Sequence, residues 1–203
     1  VNNFESRNLD SSFAAAYFPD VVITDPATGG NVQCPPSVAV LGAFSLNDSV
    51  SHPWFAPAGF NRGGLGNLGG RGGPRVIQAR QRLDSKERDD LYVVNINPIA
   101  TFPGQGVCVW GQKTLQKKAS ALDRVNVRRL LIKLKKFIAS TSRFLVFEQN
   151  TAATRRRFLS IVNPFLEQVQ SNSGLNAFRV VMDETNNTPD TIDRNQLVGQ
   201  LFL

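Results

Sequence analysis

The sequence is short of the residues on which most enzymes and metal proteins depend. It has one histidine (His52), two cysteines (Cys34, Cys108) and one methionine in 203 residues. A structural zinc site takes four Cys or His ligands, so these three cannot build one, and no cofactor or metal is expected. Two cysteines far apart make no disulfide framework in a chain of this size. Both read as buried thiols in a reducing compartment. No run of 18 apolar residues occurs, so no membrane insertion by a helix is expected. Residues 1–10 are polar and read as a flexible leader, not a signal peptide.

Catalytic patterns are equally scarce. His52 has no GxSxG elbow to serve and sits in a Pro/Gly-rich loop, where it reads as incidental. Gly104, Gly106 and Gly111 flank a strand. A phosphate loop needs its glycines between a strand and a helix N-terminus, so that reading fails. Asp183, Glu184, Asp190 and Asp193 lie among Thr, Asn and Pro. Asx turns and helix caps explain them better than paired acid–base chemistry. The chain is read as a non-enzyme with no catalytic residue and no small-molecule substrate.

What is present is a globular composition with a basic excess. Hydrophobic residues make up 41% and charged residues 19%, which suits one ordinary domain or two small ones. Lys and Arg number 23 against 16 Asp and Glu, a net +7 that favours an acidic partner.

The elements alternate. Ser12–Tyr17 (SFAAAY) reads as a short helical turn, and Asp20–Thr24 as a strand entering a hairpin through DPATGGN. Pro35, Pro36 and Ser37 open a helix over VAVLGAFSL. Residues 51–74 form a Gly/Pro-rich loop, and Pro74–Gln81 an extended strand. Asp84 with Glu87 marks a capping box and a helix start. Asn97–Lys113 reads as a turn, the strand Gly106–Trp110, then a turn. Ala177–Asp183 and Gln196–Leu203 read as strands on either side of a polar turn region.

Two helices are clearest. Over 123–147, Val127, Leu130, Leu131, Leu134, Phe137, Ile138 and Leu145 share one arc at 100° per residue. Arg128, Arg129, Lys133, Lys135, Lys136 and Arg143 fall on the opposite arc, and no acid interrupts from Arg124 to Phe147. Residues 143–147 also read as a following strand. Such a run of like charge points to an acidic docking surface, with nucleic acid as the rival. The Arg62-Gly63-Gly64 and Arg71-Gly72-Gly73 triplets add weakly to the rival. A second helix spans Thr151 to about Ser171, with Phe158, Ile161, Val162, Phe165 and Val169 as its stripe. Pro164 bends it and Gly174 caps it. Arg155, Arg156 and Arg157 crowd its first turns, where the helix dipole disfavours positive charge.

Several blocks in order resemble one family. They are SSFAAAYFPDVVITDP, PPSVAVLGAF, WFAPAGFNRG, FPGQGVCVWGQKT, DRVNVRRLLIKLKK, FLVFEQNTAATRRRF and NNTPDTIDRNQLVGQLFL. Together they look like the C-terminal half of contractile tail sheath proteins of myovirus-type phages, related to the sheaths of R-type pyocins and other contractile injection systems. The resemblance implies an α+β fold with α/β-like alternation, a mixed sheet flanked by helices, as the sheath core domain over residues 11–203. It implies a structural subunit that stacks as hexameric rings around a tail tube and contracts to drive the tube through the host envelope. The implied partners are further copies of itself, the tube protein, and baseplate and tail terminator proteins. The implied location is the virion, with assembly in the host cytoplasm. The family's N- and C-terminal arms are not found in the chain. With Val1 at its start and an apolar strand at its end, the chain is expected to be a piece of a longer protein. The family's tube contact maps onto Arg155, Arg156 and Arg157. The alternative basic face is Arg128, Arg129, Lys133, Lys136 and Arg143.

Overall fold

The computed structural model describes residue 4 and residues 6–25, 27–66 and 75–203. Arg71-Gly72-Gly73 and most of the second half of the Gly/Pro-rich loop lie outside the described residues. The chain is α+β and divides into two compact units, Val1–Leu130 and Leu131–Leu203.

The first unit is built on two small sheets. In one, β1 (Ala16–Phe18) runs parallel to β5 (Ile96–Phe102), which pairs antiparallel with β6 (Gly106–Val109). In the other, β2 (Val21–Thr24) lies between β3 (Asn31–Cys34) and β4 (Val76–Ala79), antiparallel to both. The segment 63–65 joins them. Leu65 N donates to the Val107 carbonyl at 2.8 Å and Val109 N to the Gly63 carbonyl at 2.8 Å. On the other side, Val76 N donates to the Leu65 carbonyl at 3.3 Å. Leu65 itself is fully buried. At Gly63 an added Cβ would lie 2.6 Å from the Ala58 Cα, so this position demands glycine. The first RGG triplet is therefore a sheet splice, and Arg62 turns back to the Ala56 carbonyl at 3.1 Å.

Helix α1 (Pro36–Val50) has Pro36 in its first turn, as the sequence indicates. Its spacing places Ala39, Val40 and Ala43 on the core with Val21, Ile99, Val107 and Val109. The short helix α2 (Gly59–Arg62) interrupts the expected loop. Helix α3 (Ser85–Val93) starts at the capping box. Glu87 N donates to Asp84 Oδ1 at 2.7 Å, and Asp84 N to Glu87 Oε2 at 2.9 Å. Leu91 of α3 packs with Leu83 and Ile96. Of the expected leader, Asp10 accepts from Lys117 N at 3.0 Å.

Two sequence expectations fail here for one reason. SFAAAY is not helical: Ala16–Phe18 is β1, and the helix propensity of its alanines yields to pairing with β5. Residues 97–102 are not a turn but most of β5, whose first five residues are buried. Asn97 and Pro98 disguise that strand. The Asn97 side chain is used inside the fold: Nδ2 donates to the Ala16 carbonyl at 3.0 Å and the Lys113 carbonyl at 2.8 Å, and Oδ1 accepts from Lys113 N at 2.6 Å. Gly104 (φ 73°) and Gly106 (φ 80°) make the β5–β6 turn.

Cys34 and Cys108 are buried free thiols. Burial pushes the Cys108 thiol up to about 11, against the opposing pull of Arg88, and raises Cys34 as well. Both thiols stay protonated at neutral pH. Ellman's reagent is therefore expected to label neither in the native protein and both in guanidinium. Rapid labelling of the native chain would show the burial to be wrong.

The second unit takes the C-terminal part of helix α4 (Val125–Ser142), helix α5 (Ala152–Ser171), the β7–β8 hairpin (Arg179–Val181, Gln200–Phe202) and helix α6 (Pro189–Asp193). The strand expected over 143–147 is a single 3-10 turn, Arg143–Leu145. The polar turn region contains α6. Leu134, Phe158, Val162, Leu166 and Val169 are buried, and the Phe137 and Phe165 rings stack at 3.8 Å. The stripe on α5 differs from the expected one: Leu166 is buried, whereas Ile161 is exposed. Thr151 caps α5 by accepting from Thr154 N at 3.2 Å. At the other end Ser173 (φ 59°), not Gly174, takes the left-handed position. Gly174 N donates to the Val169 carbonyl and Ser173 N to the Gln170 carbonyl, a Schellman closure with the roles shifted by one residue.

Candidate assembly surfaces

The basic residues of α4 do not form one solvated face. Arg128 is buried. Its guanidinium lies 4.1 Å above the Phe13 ring and bonds the Ser12 hydroxyl. Arg129 is tied to Asp48 at 2.6 Å and lies over Phe44. Both are committed to the first unit and are withdrawn from the expected basic face. Lys133, Lys136 and Arg143 are exposed in the second unit.

The arginines of α5 also part company. Arg155 is buried and donates to Asn150 Oδ1 at 2.8 Å. It stands three, seven, eleven and fourteen positions before Phe158, Val162, Leu166 and Val169, so the helical period puts it on the apolar stripe. The reading of Arg155 as a tube-facing side chain is thereby corrected. Arg156 and Arg157 are exposed, and no acidic residue occupies the first turn to offset them. Uncompensated positive charge at a helix N-terminus is unfavourable in the free chain and available to an anionic partner.

The sequence missed an apolar surface beside these charges. Phe144, Val146 and Phe147 project from the connection between α4 and α5, with Phe147 fully exposed. The signal was in the run RFLVF, which was absorbed into a helix end or a strand.

The carboxylates of 183–193 have structural roles. Asp183 Oδ1 accepts from Thr185 N at 2.9 Å and from the Thr185 hydroxyl. These bonds hold its carboxyl below the usual range. Asp190 pairs with Arg194 at 3.1 Å. His52 stacks on Trp54 at 4.5 Å. Among the described residues no group of three or more His, Cys, Asp or Glu could hold a metal ion, and no helix is long and apolar enough to cross a membrane.

Residues 117–201 match the phage tail sheath C-terminal domain. The tail sheath protein of Vibrio phage KVP40 is 42% identical over 81% of this chain. That of Enterobacteria phage T4 is 35% identical over 100% of it. The chain is similar to phage tail sheath proteins, and its residues 117–201 match the C-terminal domain of that family. It spans about a quarter of the length of these sheath proteins, 23% and 29%. The fold agrees with that of a sheath complex in the contracted state from an extracellular contractile injection system, PVC. The TM-score is 0.83 at 24% identity, over 100% of this chain and 55% of that one. Both relatives are tail sheath proteins.

Proposed function

We propose that this chain is part of the structural subunit of a contractile phage tail sheath. The observation that carries the reading is an alignment over 202 residues with a tail sheath protein at 35% identity. Copies stack as hexameric rings around a tail tube, and contraction of the stack drives the tube through the host envelope. The mechanism is mechanical and needs no cofactor. The sheath sits in the virion after assembly in the host cytoplasm, bounded by baseplate and terminator proteins. The similarity to phage proteins at 31–42% identity favours a phage over a phage-derived injection system.

Within this reading, Arg156 meets the tube. Arg155 is buried and bonded to Asn150, Arg157 lines a groove with Phe144, and Arg156 is exposed. Lys133, Lys136 and Arg143 form the alternative face. An exposed ion pair contributes about 0–1 kcal/mol, so a ring of such pairs can hold the tube and still release it. Negative-stain electron microscopy of the protein that carries this sequence is expected to show sixfold rings or tubes. Globular particles with salt-sensitive DNA binding would transfer the basic surface to nucleic acid. Arg156→Glu is expected to weaken tube–sheath co-assembly while rings still form. Unchanged co-assembly would move the contact to the alternative face.

A further inference from the structure

The second unit carries an apolar groove that its own residues leave open. Thr141, Phe144, Leu145, Arg157, Phe158 and Ile161 line a cavity of about 240 Å³. Phe144 at its mouth is 76% exposed and Ile161 46% exposed. Beside it Phe147 stands at φ 72°, a left-handed conformation that bulky side chains rarely adopt. A backbone strained in order to hold an aromatic ring in water gains nothing for an isolated chain. It gains once a partner buries the ring.

The charge distribution names the partner. Residues 131–157 hold seven Lys or Arg and one acid, Glu148. Residues 158–203 reverse this, with five acids and two arginines. The reversed part contains its own exposed apolar side chain, Ile192 at 40% exposure, between Asp190 and Asp193. Asp190's present partner, Arg194, is itself exposed, so that pair exchanges at little cost.

We propose that the groove beside Phe144 and Phe147 receives the Asp183–Asp193 segment of a second copy of this chain. Ile192 enters the cavity, and Asp190 and Asp193 face Arg143 and Arg157. A basic patch cannot be its own complement, so the contact joins unlike surfaces. Heterologous contacts of this kind generate rings or helical arrays, whereas twofold dimers join like to like. The inference rests on the sheath reading only in that a sheath requires such an array.

The test is a mixture of two variants, Phe147→Cys and Ile192→Cys, oxidised mildly. The native thiols are buried and stay silent. Intermolecular 147–192 bonds are expected. Predominant 147–147 bonds, or no bond, would overturn the proposal. In sedimentation, Phe147→Ser is expected to weaken self-association by about tenfold or more, as loss of a buried aromatic anchor does. Unchanged self-association in that variant also overturns the proposal, as does the absence of any self-association in the parent chain. Because Phe147 touches solvent alone, an unchanged circular dichroism spectrum confirms that the fold is retained. Arg157→Glu should weaken association, and Asp193→Arg on the opposing copy should restore part of it. Rings that still form with Phe147→Ser would remove the interface and leave the sheath reading intact. A 147–192 bond in a protein that never forms rings would do the reverse.

Discussion

Asn97→Ala is expected to lower stability by about 3–5 kcal/mol, because three backbone groups lose their partner together. The Asn97 side chain is fully buried and bonds the Ala16 carbonyl and both backbone groups of Lys113. Ala16 belongs to β1 and Asn97 to β5, while Lys113 opens the chain toward α4. One side chain thus closes a parallel strand pair whose own ladder is three residues long. The vacated groups would face a cavity at a fully buried position, so most of the desolvation cost stays in place. Urea denaturation measures it. A loss under about 1 kcal/mol would mean that the three bonds are not made in solution.

Asn187→Ala is the second large effect, and it falls on the second unit. Asn187 is 2% exposed. Its Nδ2 donates to the Asp183 carbonyl at 3.1 Å and the Val198 carbonyl at 2.8 Å, and its Oδ1 accepts from Val198 N at 2.9 Å. Asn150 Nδ2 also donates to that oxygen at 3.0 Å, and Asn150 in turn holds the buried Arg155. Removing Asn187 frees the loop before α6, the approach to β8, and the bond that orients a buried cation. A loss of about 2–4 kcal/mol is expected. For a chain of this size that lowers the melting temperature by roughly 4–16 °C. Asn187→Asp keeps the acceptor and loses the donors, and should fall between the parent and the alanine variant. If the two variants matched the parent, the network would carry no stability.

The parts of the fold legible in the sequence are those whose signal is local. The capping box at Asp84, the proline-led start of α1 and the long periods of α4 and α5 depend on neighbours a few positions away. Strand β5 depends on partners about 80 positions upstream, and its Asn97 and Pro98 look like turn residues until those partners are present. The candidate surface was half legible. Counting charges found the basic region, but a charge count says nothing of which cations the fold consumes. Arg128 needed Phe13 and Ser12, from the opposite end of the first unit, to explain its burial. Arg155 was within reach, since its spacing to Phe158, Val162 and Leu166 is that of a core residue. Phe147 was not, because a fully exposed aromatic ring runs against the expectation that apolar runs turn inward.

The splice at Leu65 also bears on how such chains can vary in length. Leu65 and Val76 are hydrogen-bonded to each other across the sheet. The polypeptide therefore leaves the frame and re-enters it at adjoining points. A flexible insertion between these points costs only the slow entropy of a longer closure, about 0.6 kcal/mol for each doubling of its length. Neither sheet needs to shift to accommodate it. An epitope tag or a small folded module could be grafted between these two residues while the strands on either side keep their register.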